Sequence, residues 1–295
     1  MSFGLILLIS LSSGFLFLQG CAQAPTKMYE SKPVEAKASE AAPVKVDDQT
    51  VILDARPAFQ YAISHLNGSQ NIQWSDFSQR EYPYDGELEK DLFFHARRLA
   101  RLGIDPATPV VIVGLGSNGH GEEGRVAWTL KVLGIKAVRF VNIDYFSMPL
   151  TSEEAPPREN KPIWKPQVDS SLVVDRKTII KLLASPRKSD SPVIIDVRLS
   201  KDYLSKKPSS FGKPIPDIGA MNIPWTEFFD SHGLMIPGMK QKLEAVGITP
   251  DKTLYVISEK GVESAGVTLA LRQLGYKKTA NFAGGYLELI EAPKK

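Results

Sequence analysis

Short apolar runs alternate with longer amphipathic stretches along most of the chain. Val51-Ile-Leu-Asp-Ala55 and Val193-Ile-Ile-Asp-Val197 are almost unbroken apolar runs, the mark of strands covered on both faces. Val110–Val113 and Leu254–Ile257 have the same character, and Val138–Val141 predicts a further short strand. A helix is predicted from about Glu122 to Leu133. Gly134 and Gly275 stand where helix C-terminal caps belong. Strand, helix and strand at this spacing predict right-handed crossovers and a parallel sheet, an α/β architecture.

The pattern occurs twice. Val51-Ile-Leu-Asp-Ala-Arg56 returns as Val193-Ile-Ile-Asp-Val-Arg198, and Asn71-Ile-Gln-Trp-Ser-Asp-Phe77 as Asn222-Ile-Pro-Trp-Thr-Glu-Phe228. Leu102-Gly-Ile-Asp-Pro106 returns as Val246-Gly-Ile-Thr-Pro250. Val126-Ala-Trp-Thr-Leu-Lys-Val-Leu-Gly134 returns as Val267-Thr-Leu-Ala-Leu-Arg-Gln-Leu-Gly275. Four ordered matches at offsets of 141–151 residues describe a duplicated domain. Two domains also suit a length of 295 residues.

With those residues in hand, each copy resembles a rhodanese-like (thiosulfate sulfurtransferase family) domain. In copy one the likeness rests on Asp54-x-Arg56, Tyr61, His65-Leu-Asn-Gly68 and Asn71-Ile72, then on Gly124 to Gly134. In copy two it rests on Gly219-Ala-Met-Asn-Ile-Pro-Trp225 and the closing Phe282-Ala-Gly-Gly-Tyr-Leu-Glu-Leu289. The likeness runs from about Val51 to Leu289 and implies two tandem domains, each a central parallel sheet flanked by helices. We place domain 1 at 48–150, a Pro-rich strap at 151–168 and domain 2 at 169–295. Copy two has a lead-in strand and helix (Leu172 to Ala184) that copy one lacks.

The resemblance implies a catalytic Cys directly after the central strand, in a loop reading Cys-x-x-x-x-Arg. Copy two has Ser258-Glu259-Lys260-Gly261-Val262-Glu263-Ser264 there, with serine at the nucleophile and Glu263 where an arginine belongs. Copy one has Gly114 at that place, in a longer loop with Gly116 and Gly119 before Arg125. Sulfur transfer needs a thiolate that can carry a persulfide. A serine hydroxyl is far less acidic and forms no persulfide. No catalytic residue is therefore expected. The implied role is binding or scaffolding, with a protein or small anion as partner. The alternative is a sulfurtransferase or other enzyme using the retained loop; a Ser258 hydrolase would need a base at hydrogen-bond distance, and Glu263 is the nearest candidate in sequence. Gly114-Leu-Gly-Ser-Asn-Gly119 also matches the dinucleotide fingerprint Gly-x-Gly-x-x-Gly. Five residues still separate Gly119 from Arg125, where that fingerprint has its helix already packed.

Smaller features have plainer expectations. Trp74 and Trp225, at equivalent places, are expected to pack cores or the domain interface. Asp54–Arg56 and Asp196–Arg198 are expected to be structural charged pairs. Tyr82-Pro-Tyr-Asp-Gly86 predicts an exposed turn.

Residues 3–18 contain eleven Phe, Leu or Ile, too short a run for a membrane span but suited to a signal peptide. Leu18-Gln-Gly-Cys21 follows and resembles a bacterial lipoprotein box. That resemblance implies residues 1–20 as signal peptide, lipid on Cys21, and a mature chain anchored in the cell envelope, at the outer membrane facing the periplasm. An uncleaved anchor or a plain secretory signal are the alternatives. In 22–47, eighteen of 26 residues are Ala, Pro, Lys, Glu or Ser, a composition expected to form a flexible tether. Cys21 is the one cysteine, which excludes an internal disulfide and a Cys-rich metal site. His65, His95, His120 and His232 show no metal-ligand spacing, and no metal or cofactor is expected. A net charge of +3 argues against charge-driven nucleic-acid binding.

Overall fold

The computed structural model describes residues 44–205 and 209–293. The expectations for the signal peptide, Cys21 and most of the tether lie outside these residues. Among the described residues no helix is long and apolar enough to cross a membrane.

Domain 1 runs β1 (Val51–Asp54), α1 (Ala58–Ile63), β2 (His65–Leu66), β3 (Gln70–Asn71), α2 (Leu92–Arg101), β4 (Val110–Gly114), α3 (Glu122–Val132), β5 (Val138–Asn142) and β6 (Leu150–Thr151). Domain 2 runs α4 (Arg176–Leu183), β7 (Val193–Asp196), α5 (Ser200–Tyr203), β8 (Met221–Asn222), α6 (Met239–Ala245), β9 (Leu254–Ile257), α7 (Glu263–Gln273), β10 (Thr279–Asn281) and α8 (Gly285–Glu291). The two main sheets have orders β3-β1-β4-β5 and β8-β7-β9-β10, and every pairing in them is parallel. The duplication seen in the sequence is thus a duplication of topology. Burial explains the apolar runs: every residue of β1 and β4 is buried, because helices cover both faces of a parallel sheet.

Local chemistry sets the helix ends. Asp91 and Asp175 accept hydrogen bonds from the backbone N–H groups of Phe94 (3.1 Å) and Thr178 (2.8 Å), capping α2 and α4. Gly134 and Gly275, predicted as C-terminal caps, have φ of +96° and +98°. The lead-in of copy two is present as a turn at Ser170–Leu172, a bridge from Val173 to Asn281, and α4. Packed chain begins slightly earlier than the boundary drawn at residue 48: Val44 and Val46 lie against the Ile52–Val111 cluster, and the Val44 N–H donates to the Tyr145 hydroxyl at 2.9 Å. The strap stays on domain 1, where Trp164 Nε1 donates to the Ile104 carbonyl at 3.1 Å.

The two domains meet along α3 and α7. A Cβ placed on Gly124 would lie 2.7 Å from the Gly266 Cα, so the helix backbones touch at that crossing. Around it, α3 is buried on nearly all sides. Trp128, fully buried, packs against Leu172, Ala265 and Ala283, and its Nε1 donates to the Leu172 carbonyl at 3.1 Å. On the far side of β5, the Asn142 N–H donates to the His232 carbonyl at 2.8 Å. The interface is therefore a core shared by both repeats.

Candidate functional site

β9 ends at Ile257, and Ser258 is the next residue, as the sequence places it. Its side chain is fully buried. Ser264 at the start of α7 donates its one hydroxyl proton to Asn281 Oδ1 at 2.7 Å. That leaves the 3.1 Å contact between Ser258 Oγ and Ser264 Oγ with Ser258 as donor. The Asn281 amide nitrogen donates to the Gly261 carbonyl at 3.1 Å, tying the loop to the end of β10. From the other side, the Tyr286 N–H donates to the Ser258 carbonyl at 3.1 Å, and the Tyr286 hydroxyl to Asp196 Oδ2 at 2.9 Å. Asp196 is paired with Arg198 at 2.6 Å, and its copy-one counterpart Asp54 with Arg56 at 2.7 Å, the structural pairs expected from the sequence.

Glu263 opens α7 beside Ser258. Burial raises its carboxyl above the ordinary range, against opposing pulls from its own backbone N–H, the neighbouring Ser258 hydroxyl and His120 of domain 1. A general base for Ser258 has to be an unprotonated acceptor within hydrogen-bond reach. The one hydroxyl proton of Ser258 is directed to Ser264 Oγ and not to Glu263, and no described hydrogen bond joins any histidine to Ser258. Glu263, Trp225, Gly116 and Gly121 line a cavity of only about 10 Å³, room for one water at most. The glycine-rich loop faces this cavity, which has no space for a dinucleotide.

Domain 1 closes the loop from above. Arg125, grouped from the sequence with copy one's own loop, sits inside α3 and points across the interface. Its guanidinium donates to the Gly261 carbonyl at 2.9 Å and to the Gly86 carbonyl, and lies over the Trp128 ring at 4.8 Å and the Trp74 ring at 5.6 Å. Burial lowers its pKa to about 9, which leaves it charged at neutral pH. The Tyr82–Gly86 turn, expected to be exposed, instead has Pro83 and Gly86 buried. A Cβ on Gly86 would lie 2.5 Å from the Ala283 carbonyl and 2.8 Å from that of Lys260. Asp85 pairs with Lys260 at 2.9 Å, and Glu259 accepts from the Ser210 hydroxyl. Lys260, Gly261 and Ser264 are thus each held by a partner, over a Ser258 side chain that is fully buried. Asn281 escaped the sequence reading because no local pattern marks it, and Asp85 and Gly86 were read only as part of a turn, not as partners of the loop.

In domain 1 the nucleophile position is filled from within. Gly114 is the last residue of β4, and a Cβ there would lie 2.0 Å from Glu123 Oε2. Glu123 is fully enclosed, and burial raises its pKa to about 8. Unfolded, it titrates near 4.5. Its contribution to stability is therefore complete below about pH 4.5 and is lost as pH rises to about 8, at about 1.4 kcal/mol per pH unit. Glu123→Gln keeps the shape without the proton. Its melting temperature is expected to fall less than that of the parent protein between pH 5 and pH 8; parallel curves would refute the assignment.

The chain belongs to the rhodanese-like domain family: the family's model matches residues 38–147 and again 180–292. Among curated relatives it is similar to a thiosulfate sulfurtransferase of Pseudomonas aeruginosa, 23% identical over 88% of this chain and 95% of that protein. It is also similar to the 3-mercaptopyruvate sulfurtransferase of Homo sapiens, 25% identical over 80% of this chain and 79% of that one. Among solved structures, the 3-mercaptopyruvate sulfurtransferase SseA from Escherichia coli superposes with a TM-score of 0.63 at 20% identity, covering 81% of this chain and 93% of that one. An anaerobic ergothioneine biosynthesis enzyme from Chlorobium limicola superposes with a TM-score of 0.66 at 16% identity over 84% of this chain; the alignment spans 64% of that longer protein.

Proposed function

We propose that this protein is a sulfurtransferase-family member without sulfurtransferase activity, tethered to the cell envelope through Cys21 and acting there as a binding or scaffolding protein. The observation that carries the reading is Ser258: a hydroxyl at the nucleophile position, fully buried and hydrogen-bonded to Ser264. It can hold no persulfide. Glu263 at the loop's end replaces the cation that would attract thiosulfate, and the Tyr82–Gly86 turn occupies the space above. Gly114 offers copy one no nucleophile at all.

The test is a thiosulfate:cyanide sulfurtransferase assay on the intact protein and on Ser258→Cys. Neither is expected to form thiocyanate, the second because the new thiol stays buried under Gly86 with Glu263 beside it. Turnover by the parent protein would overturn the proposal. Turnover by the variant alone would leave the parent inactive and show that the loop opens to anions. For the tether, metabolic labelling with a radioactive fatty acid should mark the protein and fail to mark Cys21→Ala.

A further inference from the structure

The largest cavity described lies between the domains, at the opposite end of α3 and α7 from Ser258. It measures about 640 Å³, within the range of sites that enclose small molecules. Five cations line it, Lys45, Lys131, Lys136, Arg139 and Arg272, against the single carboxylate of Asp169. Two of the five are partly committed. Lys131 Nζ donates to the Lys136 carbonyl at 2.9 Å, and Arg272 Nε to the Thr279 carbonyl at 2.9 Å. Lys45, Lys136 and Arg139 have no ion-pair partner among the described residues. The floor is apolar: Phe140 and Phe229 meet edge to face at 5.6 Å, and Leu269 lies beside them.

Like charges gathered without counter-ions repel, and a concave site with low-dielectric walls strengthens that field. Burial, with Arg139 nearby, pulls the Lys131 pKa down against the attraction of Asp169. An anion placed among these groups relieves the repulsion, and an apolar body covers the aromatic floor. We infer that this interdomain cavity binds a small organic anion, a carboxylate, sulfonate or phosphate carried on an aromatic or aliphatic body. Both repeats and the chain entering domain 1 at Val44–Lys45 supply its walls, so it exists only in the tandem arrangement. The cavity is an open cleft with an aromatic floor between two domains, a concave shape that favours a small soluble molecule over a flat membrane surface. The inference stands whether or not Ser258 transfers sulfur.

The test uses the intact protein and anilinonaphthalene sulfonate as the probe, followed by calorimetry. One probe per chain should bind saturably, and more weakly as salt rises. Arg139→Gln combined with Lys136→Gln, both at exposed positions, should weaken binding about tenfold while leaving the thermal midpoint unchanged. The uncharged analogue phenyl-naphthylamine should bind less tightly. No saturable binding, an affinity unmoved by the double substitution, or equal affinity for the uncharged dye would each overturn the inference. So would recovery of the protein on phosphatidylglycerol vesicles with no binding of the soluble probe, which would assign the cations to a headgroup surface.

Discussion

Replacing Gly124 with leucine is expected to destabilise the protein by about 3 kcal/mol or more. The crossing of α3 and α7 has no space for a side chain: even a Cβ would stand 2.7 Å from the Gly266 Cα and 3.2 Å from its nitrogen. α3 cannot retreat, because Val126, Ala127 and Leu130 are packed into the core of domain 1 behind it. Helix propensity works the other way, gaining about 1 kcal/mol when glycine leaves a helix. For Gly124→Ala the propensity gain offsets part of the backbone clash, which makes leucine the discriminating choice. Urea unfolding measures the loss; a midpoint like that of the parent protein would mean that the helices do not meet there.

Arg125→Ala is expected to cost about 3–5 kcal/mol. The substitution leaves the Gly261 and Gly86 carbonyls without their donor and opens a cavity between Trp74 and Trp128. Arg125→Met should cost less, about 1–3 kcal/mol, since it fills the space and removes a charge that has no carboxylate opposite it. Both variants should speed hydrogen exchange in residues 258–264, because Arg125 is one of the ties that hold this loop. Unchanged exchange there would separate Arg125 from the loop. Effects at neighbouring positions 124 and 125 are not expected to add.

Much of the fold was legible because it is written in local pattern. The acid-ended apolar runs marked β1 and β7, glycines with positive φ closed α3 and α7, and the recurrence of whole phrases showed the two domains. That Ser258 stands directly after a strand was legible in the same way, from the apolar run Leu254–Ile257. The site's closure was not legible, because its contacts are distant in sequence. Arg125 reaches a carbonyl 136 residues away, and Asp85 a lysine 175 residues away. Tyr82–Gly86 has the composition of a turn, and composition does not say against what a turn will pack. Likewise, nothing around Glu123 announces that its side chain occupies the volume a residue larger than glycine would need at 114. The cationic cavity was equally hidden, since Lys45, Lys131 and Arg272 come from segments that meet only when both repeats are in place.

Gly114 and Glu123 bear on how the two repeats can change over time. In domain 2 a single substitution, serine to cysteine, puts a sulfur at the head of the loop with little change in volume. In domain 1 a side chain at 114 collides with Glu123 unless that residue is shortened as well. A thiol there needs two coordinated changes, and Gly114→Cys alone meets a steric clash. A thiol at the head of the first repeat's loop is thus barred by packing until Glu123 also changes, while the second repeat stands one substitution from carrying one.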